Sequence, residues 1–316
     1  MSDPEQLIQK IRAALAPRTL GAWPTPLDSA PGLAGALRLA ALAIKREDRS
    51  SSCYGGNKVR GLEFLLAGAV PGTAFVTVGG TGSTHCLATA VHASAAGGCA
   101  AVAQFPQPET EMSRAVADAC AARAAFVVRA RMRATLPVAV VEAWYRARVL
   151  GPRRWIPGGG AHPRAVVGHL LAGLELAAQT PPPDAIVLPL GTGGTVAGLT
   201  LAMAALGWPT RVVGVRVAPR IVANRWRTVS LARRARRLLE RVGVTLPAPR
   251  DFELVEGLGR GYGWPTAAGE RAERLAADHG LTLDPTYGAK AFAFLMQQAT
   301  GGVRRIVFWH TFAAPP

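Results

Sequence analysis

The strongest candidate for covalent chemistry in this 316-residue chain is a lysine that closely follows two glycines. It is Lys58, in the segment Gly55-Gly56-Asn57-Lys58. A desolvated lysine amine can attack a carbonyl carbon and form a Schiff base, whereas an arginine cannot. The residue type is informative because the chain's 36 lysines and arginines include only four lysines, which are Lys10, Lys45, Lys58 and Lys290. The alternative is an ordinary lysine at the start of a helix.

A second candidate is the segment Gly191-Thr192-Gly193-Gly194-Thr195, which lies between a predicted buried strand and a predicted helix. Glycines let the backbone approach an anion closely, and a helix N-terminus supplies N–H donors and a positive dipole end. The segment is not a P-loop, because no Gly-Lys-Ser/Thr follows, and Val196 occupies the third glycine position of a dinucleotide fingerprint. We interpret it as a phosphate cradle, with a tight strand–helix turn as the alternative.

Hydroxyl groups follow another predicted strand, in the segment Gly79-Gly80-Thr81-Gly82-Ser83-Thr84-His85. The Ser83 and Thr84 hydroxyls could hold a carboxylate or take part in a proton transfer. N-capping of the next helix by either residue is the alternative. His85 alone is as typical of a packed or capping histidine as of a base.

Two of the chain's four tyrosines lie in loops framed by glycine and proline. Tyr262 occurs in GYGWP, and Tyr287 occurs in DPTYGAK. Phenol groups beside a cationic cofactor can act as acid or base. Taken singly, each tyrosine is equally typical of a turn with a packed ring.

The elements that must position these residues follow an α/β pattern, in which short β-type runs alternate with alanine-rich helical stretches. Glycine- and proline-rich breaks near 151 and 158–160 separate two such blocks, so we expect two α/β domains with a cleft between them. The pattern predicts strands at 74–78, 99–105, 125–129, 185–190, 211–217 and in RIVFWH, and helices at 84–96, 112–122, 136–149 and 165–179.

The formal net charge of +16 comes almost entirely from arginine and raises the question of a nucleic-acid partner. The densest cluster lies between Arg220 and Arg241. There, Ser230 followed by LARRARRLLERVG predicts a capped amphipathic helix that ends at Gly243, with the arginines mainly on its outer face. No nucleic-acid-binding motif accompanies the cluster. We therefore interpret it as a solvated helix face and do not expect a nucleic-acid partner.

The sequence predicts no membrane span, no disulfide framework and no metal site. No run of about 18 apolar residues is free of charges and turn signals. The first residues, MSDPEQLIQKIRAALAP, predict a capped amphipathic helix rather than a secretory signal, so we expect a cytoplasmic protein. The four cysteines form no C-x-x-C pair, and the six histidines form no metal-binding pattern.

Taken together and in this order, the candidate segments resemble the fold-type-II pyridoxal-phosphate enzymes of the tryptophan synthase β-subunit superfamily. Within it, the chain is most similar to 1-aminocyclopropane-1-carboxylate (ACC) deaminases and D-cysteine desulfhydrases. The segments that carry the resemblance cover nearly the whole chain and are TPLDSAPGLAG, IKREDRSSSCYGGNKVRGLEFLLAGA, TVGGTGSTHCLATA, IPGGGAHPRAVVGHLLAGLEL, LPLGTGGTVAGL, GYGWP, DPTYGAKAF and FWHT.

The resemblance implies a fold of two open, twisted, mainly parallel α/β domains with the cofactor, pyridoxal 5'-phosphate, in the cleft between them. The larger, cofactor-binding domain would comprise residues 1–60 and 160–316, and the smaller α/β domain residues 61–159. The resemblance also implies a homodimer.

The family's cofactor residues map onto five places in this sequence. Lys58 would hold the cofactor covalently, and Asn57 would lie beside the cofactor ring. The loop 191–195 would bind the phosphate. Thr84 would lie near the ring hydroxyl, and Thr311, after the last strand, would contact the pyridine nitrogen.

The resemblance places the remaining candidates on the substrate side of the cofactor. Ser83 would face the substrate carboxylate or transfer a proton, with Thr84 and His85 next to it. Tyr262 and Tyr287 would line the substrate side and, with Lys58 and Ser83, form the catalytic set.

The activity that the resemblance implies is that of a lyase acting on a small amino acid. As in D-cysteine desulfhydrases, α,β-elimination would give a keto acid and ammonia. Two competing hypotheses stay open: β- or γ-replacement in a biosynthetic pathway, and a basic nucleic-acid-binding protein on an enzyme-derived scaffold. A nucleotide-dependent reductase is disfavoured, because the strand RVVGVRV does not end in an acid.

The chain departs from the family pattern at several positions. Thr84 and Leu87 stand where the family has asparagine and arginine, and Gly61 stands where a second lysine usually lies near the phosphate. Arg60 is the candidate to replace that lysine. Gly288 stands where the deaminases have a glutamate, which disfavours cyclopropane ring opening, so we expect a different substrate choice.

Overall fold

Strands and helices alternate along a computed structural model that describes residues 3–298, 304–312 and 314–315. In these ranges the strands are β1 (Leu27–Ser29), β2 (Ala41–Arg46), β3 (Ala74–Gly80), β4 (Cys99–Phe105), β5 (Phe126–Arg129), β6 (Arg153–Ile156), β7 (Ala185–Leu190), β8 (Arg211–Arg216), β9 (Glu253–Glu256) and β10 (Arg305–His310). The helices are α1 (Pro4–Leu15), α2 (Pro31–Ala36), α3 (Lys58–Leu65), α4 (Thr84–Ala95), α5 (Glu111–Arg123), α6 (Leu136–Arg146), α7 (Pro163–Glu175), α8 (Gly194–Leu206), α9 (Arg225–Glu240), α10 (Ala267–Ala277) and α11 (Gly288–Gln298).

The described strands form two separate sheets. The larger sheet has the order β1-β2-β10-β7-β8-β9, and the smaller sheet has the order β5-β4-β3-β6. Every neighbouring pair is parallel except β1 and β2, which pair antiparallel. The predicted α/β class with mainly parallel sheets is therefore confirmed. All strands of the smaller sheet fall within 61–159, and the domain boundaries at 60 and 160 stay a prediction.

Strand β7 is the buried centre of the larger sheet, because apolar side chains cover both of its faces. Ile186, Leu188 and Leu190 pack in one cluster with α7 and α8. Ala185 and Val187 point to the other face and pack with α10 and α11. The glycine loop therefore directly follows the carboxyl end of a strand that is held rigidly on both faces.

Glycines allow three helices to pack unusually closely next to the site. A Cβ on Gly168 of α7 would lie 2.0 Å from the Arg60 carbonyl oxygen of α3. A Cβ on Gly198 of α8 would lie 2.4 Å from the His169 Cβ of α7. Larger residues would push these helices apart, so the glycines fix α3, with Lys58 as its first residue, against α7 and α8.

The arginine-rich helix α9 starts earlier than the sequence predicts. Its N-cap is Asn224, whose side chain accepts a hydrogen bond from the Arg227 N–H at 2.9 Å, so Ser230 lies inside the helix and is not its cap. Leu231 and Leu239 are buried while Arg233, Arg234 and Arg237 are exposed, as expected for a solvated face.

The bounds of most other predicted elements lie within a few residues of the prediction, but β1, β2, β6 and β9 are not predicted. Helices α6 and α7 end sooner than expected, because 3-10 turns at 147–149 and 176–178 replace their last α-helical turns. None of the helices in the described part of the chain has the length and apolar character needed to cross a membrane.

Candidate active site

Lys58 lies at the start of α3 and faces a cavity between the two sheets. Its side chain is half-buried, and the Nζ atom donates to the Gly159 carbonyl oxygen at 3.3 Å. Burial lowers the pKa of Lys58 to about 8, because low-polarity surroundings disfavour the ammonium form. A sizeable fraction of the amine is therefore uncharged near neutral pH, as a nucleophile or base requires.

The predicted phosphate cradle lines the same cavity as Lys58. Gly193 has a φ of 86°, and α8 begins at Gly194, so the first N–H groups of α8 have no helical partner. A Cβ on Gly191 or Gly194 would have no neighbouring atom closer than 3.9 Å. Both glycines therefore leave open space in front of free backbone donors, which is the geometry of an anion site.

Asn57 joins the lysine segment to two other elements of the site. Its Nδ2 donates to Thr195 Oγ1 at 2.9 Å, and its backbone N–H donates to the Thr311 carbonyl oxygen at 3.1 Å. Thr311 directly follows β10 and lines the cavity together with Lys58. The structure therefore brings together all the residues that the sequence predicts for the cofactor.

The residues after β3 combine capping with a position in the cavity. Ser83 is the N-cap of α4, and its Oγ accepts from the Cys86 N–H at 3.4 Å, but Ser83, Thr84 and His85 also line the cavity. His85 Nε2 lies 2.9 Å from Thr77 Oγ1. Burial and the nearby Lys58 lower the pKa of His85 to about 3, so its imidazole is neutral at physiological pH.

Tyr262 and Tyr287 form a pair on the cavity wall. Their hydroxyl groups are hydrogen-bonded, and their rings meet edge-on with centroids 6.0 Å apart. Burial raises the pKa of Tyr262 to about 12 and that of Tyr287 well above its ordinary value. Both phenols therefore stay protonated near neutral pH, and since one O–H donates to the other hydroxyl, the second O–H is free to donate to a carboxylate.

Two buried charged residues hold the tyrosine loops in place. The Asp284 carboxylate accepts hydrogen bonds from the backbone N–H groups of Thr286, Tyr287 and Gly288 at 2.7–3.0 Å. Lys290 donates to two carbonyl oxygens of the Tyr262 loop, of which Leu258 O is the nearer at 2.9 Å. The motif DPTYGAK therefore organises both loops, with Lys290 as an anchor rather than a reacting amine.

His169 is a site residue that the sequence reasoning missed. It lies in α7, is 5% exposed, and has a side-chain Nδ1 with no hydrogen-bond partner among the described residues. Its Nε2 is 3.9 Å from the position of a Cβ on Gly194, at the start of the cradle. Burial and the charge of Lys58 lower its pKa to about 3. A lone histidine inside the apolar run VVGHLLAG was the available signal.

Comparison with known proteins shows to which protein family the chain belongs. Residues 18–311 match the family model described as "Pyridoxal-phosphate dependent enzyme". The chain belongs to this family. The resemblance predicted from its motifs is confirmed, and the chain is an enzyme that uses pyridoxal phosphate.

Individual relatives cover nearly the whole chain. The nocardicin C-9' epimerase of Nocardia uniformis subsp. tsuyamanensis is 34% identical over 307 residues, with 91% of this chain and 90% of the relative covered. The D-cysteine desulfhydrase of Salmonella choleraesuis is 31% identical over 308 residues, with 92% of each chain covered. A crystal structure of an ACC deaminase homologue superposes with a TM-score of 0.81 at 29% identity, covering 96% of this chain and 94% of the other.

The structure explains two of the departures from the family pattern and corrects one expectation. A Cβ on Gly61 would lie 2.9 Å from the Ala165 Cβ, so no side chain fits there without moving α7. Arg60 does not replace the missing lysine at the phosphate, because its guanidinium is buried in ion pairs with Glu47 and Glu175. At Gly288, a Cβ would lie 3.0 Å from Asp284 Oδ2, so a glutamate would disturb the turn that carries Tyr287.

Proposed function

We propose that this enzyme removes the Cα proton of a bound amino acid and eliminates a β-substituent, so that a keto acid and ammonia are formed. The observation that carries the proposal is the meeting of a low-pKa amine, an anion cradle and a pair of protonated phenols in one cavity. The similarity to a D-cysteine desulfhydrase supports it.

The residues present fit pyridoxal phosphate. The start of α8 offers backbone N–H donors at Gly193 and Gly194 that would bind the phosphate, and the Nε2 atom of His169 lies beside this cradle. Lys58 would hold the cofactor's carbonyl carbon, and Thr311 would contact its ring nitrogen. When bound, the cofactor supplies an electron sink for the charge that remains when a proton leaves Cα.

The protein's own groups have separate roles in this proposal. Once released from the cofactor by the substrate's amine, the Lys58 amine would take the Cα proton, because its lowered pKa makes the neutral form available. Ser83 and the phenols of Tyr262 and Tyr287 bind the substrate carboxylate and orient Cα toward Lys58. The β-substituent leaves with the electrons of its bond to Cβ. The unsaturated product takes up a proton at Cβ, and water then replaces its nitrogen, so that ammonia and a keto acid are released.

Inversion at Cα is a second candidate reaction, favoured by the similarity to an epimerase. It begins with the same proton removal by Lys58, but a proton returns to the opposite face of Cα and no bond to Cβ breaks. Ser83, which lines the same cavity as Lys58, is the candidate proton donor on that second face.

A screen of D- and L-amino acids tests the proposal. Cysteine, serine and alanine of both configurations would be incubated with the cofactor-loaded enzyme in deuterated water. We expect exchange of the Cα proton together with keto-acid formation from the substrates that carry a leaving group. Exchange with inversion and no keto acid would favour the epimerase, product with a new β-substituent would favour replacement, and no exchange in any amino acid would contradict the proposal.

The rate of cofactor uptake should depend on pH through the ionisation of the Lys58 amine. Only the neutral amine attacks a carbonyl, so the uptake rate is expected to rise about tenfold per pH unit below 8 and to level off above it. His85 and His169 do not contribute, because both stay neutral over this range. Stopped-flow mixing of cofactor-free protein with pyridoxal phosphate measures the rate. A rise that continues beyond pH 10 would show an ordinary lysine.

Filling the cradle should weaken cofactor binding. Gly191→Ala places a methyl group in the space proposed for the phosphate, and we expect the dissociation constant for pyridoxal phosphate to rise about tenfold or more. Gly35→Ala is the matched control, because a Cβ there meets nothing within 4 Å and Gly35 lies in α2, outside the site. Equilibrium dialysis of both variants measures the effect, and equal dissociation constants would place the phosphate elsewhere.

A further inference from the structure

The cavity that contains Lys58 has a volume of about 430 Å³, in the range in which pockets hold drug-sized ligands. The cofactor would occupy its inner part, next to Lys58, Gly191 and Thr192. Its outer part, beyond the tyrosine pair, has an apolar wall on both sides. The residues of this wall are Phe105, Leu136, Ala218, Pro219 and Val222.

A row of side chains leads from the tyrosine pair to the outer part of the cavity. Ring centroids of Tyr287 and Tyr262 are 6.0 Å apart, and those of Tyr262 and Phe105 are 6.1 Å apart. The Arg133 guanidinium carbon lies 5.5 Å from the Phe105 centroid. Arg133 is therefore separated from Tyr287 by two intervening rings, those of Tyr262 and Phe105.

Two arginines flank this outer part from opposite sides. Arg133 comes from the turn before α6, beside the smaller sheet, and Arg227 comes from the first turn of α9, beside the larger sheet. Both side chains line the cavity, whose lining includes no aspartate or glutamate. Neither arginine forms an ion pair within the described part of the chain, although Arg216, Arg225 and others do.

This combination points to the chemistry of the substrate. An aromatic and aliphatic wall binds an apolar group, and two cations without acidic partners attract an anion, with which arginine forms strong charge-assisted hydrogen bonds. Surface arginines in general would only steer anions toward the protein, but these two converge on the mouth of one cavity.

We propose that the enzyme takes amino acids with a long, partly apolar side chain that ends in a carboxylate, held between Arg133 and Arg227. The proposal rests on the amino-acid chemistry proposed above, and it assigns the outer cavity as the site that selects the substrate. The amino and carboxyl groups at Cα bind at Lys58 and the tyrosine pair. The apolar part of the side chain lies along Phe105 and Val222.

A matched pair of cysteine derivatives tests this assignment. S-benzylcysteine and S-(4-carboxybenzyl)cysteine differ only in the distal carboxylate, and D- and L-forms of each would be titrated into the cofactor-loaded enzyme. The readout is the ratio of their dissociation constants, followed through the absorbance of the bound cofactor. We expect the carboxylate to tighten binding about tenfold or more, and Arg133→Leu or Arg227→Leu to remove most of this preference.

The controls remove equal charges from the same segments outside the cavity. Arg131→Leu and Arg233→Leu should keep the preference, since neither residue lines the cavity, although both lower the net charge of the protein equally. A ratio near one in the wild-type enzyme, or an unchanged ratio in Arg133→Leu and Arg227→Leu, would overturn the inference. If both derivatives change the absorbance equally, only this inference fails. If no amino acid changes it, the proposed function fails and this inference with it.

Discussion

Lys58→Ala is expected to abolish the visible absorbance band of the bound cofactor and to lower the rate of Cα proton exchange by at least about 10²- to 10⁴-fold. The variant loses both the covalent anchor and the proposed base. Its fold should persist, because the replaced amine is a buried group whose charged form is disfavoured. Absorbance spectra, exchange rates measured by NMR and far-ultraviolet circular dichroism together separate loss of chemistry from loss of structure.

Lys10→Ala is the control for Lys58→Ala. Lys10 lies on the exposed face of α1, far along the chain from the site, so its removal should change neither the band nor the exchange rate. A Lys58→Ala protein that keeps the band unchanged would show that another group anchors the cofactor.

Arg60→Met is expected to lower the free energy of unfolding by about 3–5 kcal/mol, because it leaves buried charges without their partner. Arg60 Nε donates to Glu47 at 2.8 Å, and Nη1 donates to Glu175 at 2.6 Å. Lys45 Nζ lies 3.4 Å from Glu175, so two cations and two carboxylates balance. Arg60, Glu47 and Lys45 are at most 2% exposed. The network ties β2, α3 and α7 together beneath Lys58.

Urea denaturation of the cofactor-free protein measures this loss against three further variants, which are Arg236→Met, Glu175→Leu and the double variant Arg60→Met/Glu175→Leu. Arg236→Met breaks a partly exposed pair with Glu240 and should cost less than about 1 kcal/mol. Adding Glu175→Leu to Arg60→Met restores the charge balance, so the double variant should be less destabilised than the sum of the two single variants. A loss no greater for Arg60→Met than for Arg236→Met would contradict the stabilising role of the network.

Local patterns predict six of the ten strands in the described residues and much of the candidate site, whereas β1, β2, β6 and β9 are not predicted. Strands β4 and β7 begin and end where their apolar runs do, since a buried parallel strand is marked by its own composition. Lys58, the loop 191–195 and the hydroxyl residues after β3 stand out because glycine frames each of them. Lys58 and the loop 191–195 meet because β2 and β7 run parallel in one sheet and present their carboxyl ends on the same side. The hydroxyl residues follow β3 of the other sheet, so their place in the cavity depends on how the two sheets are arranged.

Other features depend on contacts that no local pattern records. The sequence predicts the N-cap of α9 at Ser230, whereas Asn224 is the cap. Both residue types suit an N-cap, and the arginines of the first turn obscure the helical spacing of apolar residues there. The partnership of Arg60 with Glu175 joins residues 115 positions apart. His169 gains its place beside the cradle only through the close packing of α7 on α8.

The most direct test of the account is to find which lysine holds the cofactor. Borohydride reduction of the cofactor-loaded enzyme makes the lysine linkage permanent, and peptide mass spectrometry then locates it among the four lysines of the chain. We expect the mass of the reduced cofactor on Lys58 alone. Modification of Lys45 or Lys290, or no stable modification of any lysine, would contradict it.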